Sequence, residues 1–313
     1  MEILIQLLLL AAGFIMLIKG ADWFVDGASK IADKLGVPQL VIGLTIVAFG
    51  TSVPEAAVSI SAALKGSAGL SVGNVLGSNI LNILIILGIT AVICAVPVQK
   101  STVRYEIPYV ILISVILSVL GLSKGYLNFI DGIILWIFMI IYLLYLARMA
   151  KKGTADNDDI PQSTEKDTPL RMILSIIIGL ALVVAGSDLA VDAATRIAVI
   201  FGMSDRLIGL TIVALGTSLP ELVTSVTAAI HKKPDIAIGN IVGSNIFNIL
   251  FVLGTSALIT PLTYASHFLA DSIVAVLAAA LLLLCVFKDH KLVRTGGIAM
   301  LVCYAAYFVY LIR

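Results

Sequence analysis

Charged residues are scarce in this chain: Asp, Glu, Lys and Arg make up 12% of its 313 residues, against roughly a quarter in soluble proteins. Hydrophobic residues make up 60%. This composition excludes a water-soluble globular protein and predicts an integral membrane protein. The net charge of +1 leaves no basic excess for nucleic acid, and no glycine-rich phosphate-binding motif suggests a nucleotide enzyme.

Cysteine and histidine are also few, with three of each. Cys94, Cys285 and Cys303 lie in apolar runs, which indicates small helix residues rather than a disulfide framework or a metal cluster. The histidines lie at the ends of apolar segments, without a second ligand at metal spacing. We therefore predict no bound cofactor. The start of the sequence lacks a basic n-region and a cleavage site, so the first apolar segment is predicted to be a retained helix.

Ten apolar segments are long enough to cross a bilayer, which takes about 20 residues each. They are approximately 3–29, 38–64, 69–94, 105–122, 127–148, 170–198, 206–230, 235–260, 266–287 and 294–312. A polar stretch with two prolines separates the fifth segment from the sixth. The sequence thus predicts an all-α membrane protein with two five-helix halves, 1–149 and 170–313, joined by a cytoplasmic loop over 150–169.

The two halves repeat each other at a constant offset of 166 residues. Residues 43–55 (GLTIVAFGTSVPE) return as 209–221 (GLTIVALGTSLPE) with 11 of 13 positions identical, and residues 73–88 return as 239–254 with 11 of 16 identical. Because each half has an odd number of predicted crossings, the second must enter the membrane from the opposite side. The pattern predicts ten transmembrane helices as two inverted repeats.

Lysine and arginine are distributed unevenly between the two predicted sides, and they favour the cytoplasm. With the N-terminus outside, the cytoplasmic ends hold fourteen: Lys30, Lys34, Lys100, Arg104, Arg148, Lys151, Lys152, Lys166, Arg171, Lys232, Lys233, Lys288, Lys291 and Arg294. The outer ends hold five: Lys65, Lys124, Arg196, Arg206 and Arg313. We therefore expect a multi-pass protein of the cell membrane, with both termini extracytoplasmic.

Two acidic residues lie near the predicted middle of the membrane. Glu55 is the only charged residue between positions 34 and 65, and Glu221 is the only one between 206 and 232. An ionised side chain at this depth costs several kcal/mol unless it is compensated. A protonated carboxyl that bridges two helices would explain one such residue. Two at equivalent places in inverted repeats favour a shared central site for a cation.

A proline precedes each acidic residue and predicts a bent or broken helix. Pro54 and Pro220 have no N–H, so the carbonyls of Gly50 and Gly216 lose their helical partners. Irregular backbone at this depth is tolerated where it lines a cavity. Freed carbonyls would lie beside hydroxyl and carboxyl groups, all of them hard oxygen donors that suit Na⁺ and Ca²⁺. These side chains are Thr51, Ser52, Glu55, Thr217, Ser218 and Glu221.

The third segment of each half carries a polar stripe that predicts a second wall of the site. Its residues, four apart, are Asn74, Ser78 and Asn82, repeated as Asn240, Ser244 and Asn248. Glycines at 73, 77, 239 and 243 form the pattern that lets helices approach closely. Other acids lie nearer the segment ends and are expected at the interface, not in the site: Asp22, Asp26, Asp188, Asp192, Glu106 and Asp271.

The paired motifs, Gly-x-x-x-x-Ala-x-Gly-Thr-Ser-x-Pro-Glu and Gly-Asn-x-x-Gly-Ser-Asn, resemble the alpha repeats of the sodium/calcium exchangers in the calcium/cation antiporter superfamily. The resemblance covers nearly the whole chain, with alpha repeats at about 39–94 and 205–260. It implies a prokaryotic type of exchanger without a large calcium-sensing domain. It further implies antiport of Ca²⁺ against Na⁺, not enzymatic activity, with the first and sixth helices sliding past the other eight.

The resemblance also implies roles for individual residues. Glu55 and Glu221 would ligate Ca²⁺ together with Thr51 and Thr217. Ser78 with the Ala48 carbonyl, and Ser244 with the Ala214 carbonyl, would form flanking Na⁺ sites, and Asn82 and Asn248 would lie at the central level. Ca²⁺, Na⁺ and the lipid bilayer are the expected partners, and no protein partner is evident.

Two features leave alternatives open. Several exchangers have an aspartate at one of the positions of Asn82 and Asn248, whereas this chain has asparagine at both. A buried Glu can also exchange a proton for a metal ion, so a proton-coupled Ca²⁺/cation antiporter is the alternative function. An intramembrane enzyme with two acids is less favoured, because acid–base chemistry needs its two groups in unlike environments.

Overall fold

The computed structural model describes residues 2–65, 68–156, 168–203, 214–266 and 268–311. The described chain is almost entirely helical, as the sequence predicts. Its helices are α1 (Glu2–Leu35), α2 (Gln39–Thr51), α3 (Val53–Leu64), α4 (Gly69–Ile93), α5 (Thr102–Lys124), α6 (Phe129–Asp156), α7 (Pro169–Ile200), α8 (Ala214–Thr217), α9 (Leu219–Ile230), α10 (Pro234–Ile259), α11 (Phe268–Phe287) and α12 (Arg294–Leu311).

Four two-residue strands connect helix ends from the two halves. They are β1 (Val96–Pro97), β2 (Tyr126–Leu127), β3 (Leu262–Thr263) and β4 (Lys291–Leu292). Strand β1 pairs antiparallel with β4, and β2 with β3. Each pair therefore joins one strand of the first half to one strand of the second.

Eight of the described helices are long and apolar enough to cross a membrane, and the bent pair of α2 and α3 adds a ninth candidate. This confirms a multi-pass membrane protein. Residues 206–213 of the predicted segment 206–230 lie outside the described residues, and the rest of that segment contains α8 and α9. Helix α6 continues to Asp156, beyond position 150 where the loop was predicted to begin. No proline lies between Phe129 and Pro161 to end the helix sooner.

Both helices with a Ser-x-Pro-Glu sequence are interrupted at the serine. Ser52 has φ −84° and ψ 7°, and Ser218 has φ −93° and ψ 5°. The axes of α2 and α3 differ by 51° across the first interruption. The proline two residues later is in the first turn of the new helix, where its missing N–H costs little. The break predicted at Pro54 is therefore confirmed.

Helices α4 and α10 lie at the centre of the molecule. In α10, 94% of the hydrophobic stretch is buried by the rest of the protein. The buried share is 72% in α4 and at most 39% in the other six single-helix candidates. Each central helix contains a π-helical turn, which begins at Asn82 in α4 and at Asn248 in α10. Such turns often occur at functional sites. The polar stripes predicted from the sequence thus lie in the interior.

Helices α1 and α7 pack along each other through glycines. A Cβ atom built on Gly186 would lie 2.8 Å from the Gly13 carbonyl oxygen, and one on Gly20 would lie 2.7 Å from the Gly179 carbonyl oxygen. These backbones meet closely because neither helix has a side chain at the crossing. Residues 13 and 179, and 20 and 186, differ by the repeat offset of 166, so the contact is symmetric between the halves.

Candidate ion-binding site

The two helix breaks meet in the interior, where each serine contacts the carboxylate of the other half. The Ser52 hydroxyl donates a hydrogen bond to Glu221 Oε1 at 2.9 Å, and the Ser218 hydroxyl donates one to Glu55 Oε1 at 3.3 Å. All four side chains are buried. The structure therefore brings together both acids and both serines that the sequence singled out.

An asparagine on each central helix supports each break. Asn74 donates to the Ser59 hydroxyl at 2.9 Å and to the Glu55 backbone carbonyl at 3.4 Å. Asn240 makes the equivalent two contacts in the second half, at 2.9 and 3.3 Å. The Thr51 hydroxyl donates to Asn240 Oδ1 at 3.0 Å. The bonds from Asn74 and Asn240 hold the first turn after each break against its own half, and the bond from Thr51 joins the two halves.

A second pair of asparagines joins α4 to α10. Asn79 and Asn245 each donate to the other's backbone carbonyl, at 3.1 and 3.2 Å. Their side-chain oxygens accept bonds from Asn82 at 3.0 Å and from Asn248 at 3.2 Å. Sequence reasoning missed Asn79 and Asn245, although both follow the serine of the Gly-Ser-Asn motif. They orient the side-chain amides of Asn82 and Asn248 so that each nitrogen donates a hydrogen bond and each oxygen accepts none from the described residues.

Four buried oxygens of this cluster have no hydrogen-bond donor among the described residues. They are Glu55 Oε2, Glu221 Oε2, Asn82 Oδ1 and Asn248 Oδ1, two symmetric pairs. A buried acceptor without a donor costs about 1–3 kcal/mol, and more if it is charged. Within the same described ranges, no group of three or more His, Cys, Asp or Glu side chains comes together. The cluster thus suits a hard cation that takes carboxylate and amide oxygens.

The remaining predicted ligands lie around this cluster. Thr51, Ser78 and Ser244 are buried, and Thr217 is half-buried. The Ser244 hydroxyl donates to the Ala48 carbonyl at 3.4 Å. The resemblance implied Ser78 beside that carbonyl in a Na⁺ site, whereas the serine that contacts it here comes from the opposite half, because α10 packs against α2. Ala214 begins α8, and its side chain is outside the described part.

One carbonyl that the sequence predicted to be free has a partner. The Ser187 hydroxyl on α7 donates to the Gly216 carbonyl at 2.8 Å. The equivalent position on α1 is Ala21, which has no hydroxyl. In the second half, this bond replaces the one that the Gly216 carbonyl would otherwise accept from residue 220, and the two halves differ in the residue at this position.

The acids expected at the interface lie outside the cluster. Asp22 contacts His231 at 3.5 Å and Lys19 at 3.9 Å, and Asp26 pairs with Lys30 at 3.0 Å. Asp188 and Asp192 are exposed on α7. Glu106 accepts a hydrogen bond from Tyr145, and Asp271 accepts one from Tyr307 at 2.7 Å. None of the three cysteines forms a disulfide.

Comparison with known proteins supports the assignment of the chain to a family. The family model described as sodium/calcium exchanger protein matches residues 5–148 and 171–313. The sodium/calcium exchanger MaX1 of Methanosarcina acetivorans is 32% identical over 99% of both chains, and the inner membrane protein YrbG of Escherichia coli is 37% identical over 87% of both. A solved structure of the sodium-calcium exchanger NCX_Mj superposes with a TM-score of 0.85 at 34% identity, covering 99% of each chain. The chain belongs to the sodium/calcium exchanger family of membrane antiporters.

Proposed function

We propose that this protein exchanges Ca²⁺ for Na⁺ across the cell membrane by alternating access, with the ions held between Glu55 and Glu221. The observation that carries the proposal is the set of four buried oxygens that have no donor among the described residues, because bound cations would satisfy them. Further hydroxyls and backbone carbonyls would complete the Ca²⁺ and Na⁺ sites. The hydroxyls are those of Thr51, Thr217, Ser52, Ser218, Ser78 and Ser244, and the carbonyls are those of Ala48 and Ala214.

The charge of the site supports a divalent cargo. Neither Glu55 nor Glu221 has a basic partner in the part of the chain that the structure describes. Asn82 and Asn248 are neutral, so two ionised carboxylates give the site a charge of −2. One Ca²⁺ neutralises that charge, and Na⁺ ions that bind the same oxygens would compete with it. Competition for shared ligands is what couples the two ions.

For the membrane arrangement, we propose ten transmembrane helices in two inverted repeats, 1–149 and 170–313, with α1 and α7 as the moving pair. The glycine contacts between α1 and α7 support this, since two helices in such close contact move together. The hydrophobic stretches of α1 and α7 are only 22% and 28% buried. They therefore have little interior contact to break when they slide past the other helices.

The experiment that tests the proposal is ⁴⁵Ca²⁺ uptake into proteoliposomes loaded with Na⁺. An outward Na⁺ gradient is expected to drive uptake at fixed pH, whereas K⁺ or H⁺ gradients of the same size should not. Uptake that follows the H⁺ gradient and ignores Na⁺ would instead establish the proton-coupled alternative.

The charge asymmetry predicts the orientation of the chain. A single cysteine at Thr154 should react with a membrane-impermeant maleimide only from the cytoplasmic side, and a cysteine added after Arg313 only from outside. The basis is the count of fourteen basic residues against five. Labelling of both positions from one side of sealed vesicles would refute the ten-helix arrangement.

We expect Asn248→Asp to keep Ca²⁺ transport near neutral pH but to make it depend on pH. The amide of Asn248 cannot titrate, whereas a carboxyl at this buried position would exchange a proton as its environment and the bound ion change. The variant would also lose the bond that Asn248 donates to Asn79, so a moderate loss of stability is expected as well.

Na⁺-driven Ca²⁺ flux measured from about pH 6 to about pH 9 in both proteins decides the matter. The matched control is Asn74→Asp, because Asn74 supports the break but contributes none of the four unpartnered oxygens. Identical pH profiles for wild type and Asn248→Asp would mean that this side chain does not face the ions.

A further inference from the structure

A cavity with a mainly apolar wall lies between α5 and α6, away from the ion cluster. Its volume is about 340 Å³. Its walls include Arg104, Tyr105, Glu106, Tyr109, Tyr142 and Tyr145. Four tyrosines line the cavity together with one carboxyl group, and none of these residues belongs to the proposed ion-exchange site. The position equivalent to Glu106 in the second half is Ser272, so this cavity does not follow from the repeat.

Two buried oxygens of residues that line this cavity have no hydrogen-bond partner among the described residues. Glu106 is 1% exposed, and Tyr145 donates a hydrogen bond to its Oε1, which leaves Oε2 without a donor. The hydroxyl of Tyr142, which is 5% exposed, is also unpartnered. The hydroxyl of Tyr109 is engaged, because it donates to the Phe138 carbonyl at 2.7 Å. A ligand that donates hydrogen bonds and carries positive charge would satisfy both oxygens.

The tyrosine rings add a second attraction for a cation. Tyr109 and Tyr142 stack with centroids 5.7 Å apart and planes at 12°, and Tyr105 and Tyr145 lie 6.2 Å apart at 52°. Aromatic faces arranged around a carboxylate attract ammonium groups through the negative potential of the rings. A quaternary ammonium has no N–H to give to Glu106 or Tyr142, whereas a primary ammonium has three. The chemistry therefore favours a primary ammonium.

The mouth of the cavity indicates where the ligand comes from. Leu112 and Ile141 line it and are each about half exposed, and both lie inside candidate membrane spans. The cavity thus opens towards lipid. Arg104 lies on its rim at the start of α5, exposed, with the guanidinium carbon 5.8 Å from the centroid of the Tyr105 ring. Arginine at this place can bind a phosphate beside the ammonium site.

We propose that this cavity binds a phospholipid with a primary ammonium headgroup, a phosphatidylethanolamine. Its ammonium donates to Glu106 Oε2 and the Tyr142 hydroxyl among the four rings, its phosphate contacts Arg104, and its acyl chains lie along Leu112 and Ile141. The site is independent of the ion-exchange proposal, because it shares no residue with the cluster around Glu55 and Glu221.

The test is native mass spectrometry of the purified full-length protein in detergent, titrated in turn with phosphatidylethanolamine, phosphatidylcholine and phosphatidylglycerol. We expect phosphatidylethanolamine to bind at least about tenfold more tightly than phosphatidylcholine, because only the former satisfies the two oxygens. Glu106→Gln should weaken its binding by about tenfold or more, through loss of the charge-assisted bond. The control Asp271→Asn, which removes a carboxylate already paired with Tyr307, should leave binding unchanged.

A second variant and a soluble competitor keep the proposal falsifiable. Arg104→Gln changes an exposed side chain, so the variant should fold normally. It should bind phosphatidylethanolamine several-fold more weakly than the wild type. Soluble O-phosphoethanolamine should not displace the lipid, since it lacks the acyl chains. Equal affinity for phosphatidylethanolamine and phosphatidylcholine, unchanged binding by both Glu106→Gln and Arg104→Gln, or displacement by O-phosphoethanolamine at equal concentration would each overturn the assignment to this lipid.

Discussion

Glu55→Gln and Glu221→Gln are each expected to abolish Na⁺-driven Ca²⁺ uptake, with a loss of about 100-fold or more, while the protein remains folded. Each substitution keeps the shape of the side chain but removes one of two negative charges from a buried site. Ca²⁺ would then carry an uncompensated positive charge in the interior, and such a charge costs about 3–5 kcal/mol or more. The measurement is ⁴⁵Ca²⁺ uptake into Na⁺-loaded proteoliposomes.

Two controls separate loss of the ion site from loss of the fold. Asp271→Asn removes a carboxylate outside the cluster, which accepts a hydrogen bond from Tyr307, and it should transport Ca²⁺ at the wild-type rate. Both glutamine variants should elute from gel filtration as the wild type does, since Ser52 and Ser218 can still donate to the amide oxygen. Uptake at the wild-type rate in either glutamine variant would contradict the proposal that Glu55 and Glu221 bind the transported ions.

Gly186→Leu is expected to separate α1 from α7, to lower the melting temperature and to eliminate exchange. A Cβ atom at this position would lie 2.8 Å from both the Gly13 carbonyl oxygen and the Leu17 nitrogen. Because these are backbone atoms, no side-chain rotation relieves the clash, and the helices must move apart. Overpacking of this kind costs about 1–3 kcal/mol and often more.

Ala185→Leu is the matched control, because this neighbouring residue is exposed on the same helix. It adds similar bulk on the lipid-facing side and should leave both the melting temperature and the transport rate near the wild-type values. Equal behaviour of the two leucine variants would mean that the close contact of α1 and α7 is not needed for folding or for exchange.

Much of the candidate ion site could be predicted from the repeat and from proline chemistry. A proline one residue before a mid-membrane glutamate predicts an interrupted helix, and the structure has that interruption at Ser52. The symmetry of the two motifs also identifies Glu55 and Glu221 as equivalent residues. Burial of both acids confirms that they lie in the interior.

The contacts between the halves could not be predicted in the same way. A repeat tells which residues are equivalent but not which of them touch, so the contact of Ser244 with the Ala48 carbonyl could not be read from the sequence. The bonds between Asn79 and Asn245 depend on how α4 crosses α10. Ser187 is polar where its counterpart is alanine, and only the packing of α7 shows which carbonyl it contacts.

The cavity beside Glu106 could not be predicted from the sequence for a different reason. The sequence places this acid near the start of a helix, where a carboxylate is common, and gives no sign that it is buried. Its surroundings include Tyr105 and Tyr109 on α5 and Tyr142 and Tyr145 on α6. These two pairs of tyrosines lie far apart along the chain. Only the pairing of these two helices brings the rings together around the carboxyl group.

Calcium binding to the purified protein tests the central claim most directly, because it reports the shared site without requiring the transport cycle. Isothermal titration of Ca²⁺ should give one ion per chain, with an apparent affinity that falls steadily as Na⁺ is raised, and no binding to Glu221→Gln. Choline at the same ionic strength should have no effect. Ca²⁺ binding that is insensitive to Na⁺, or that persists in Glu221→Gln, would contradict a site in which both ions use the same buried oxygens.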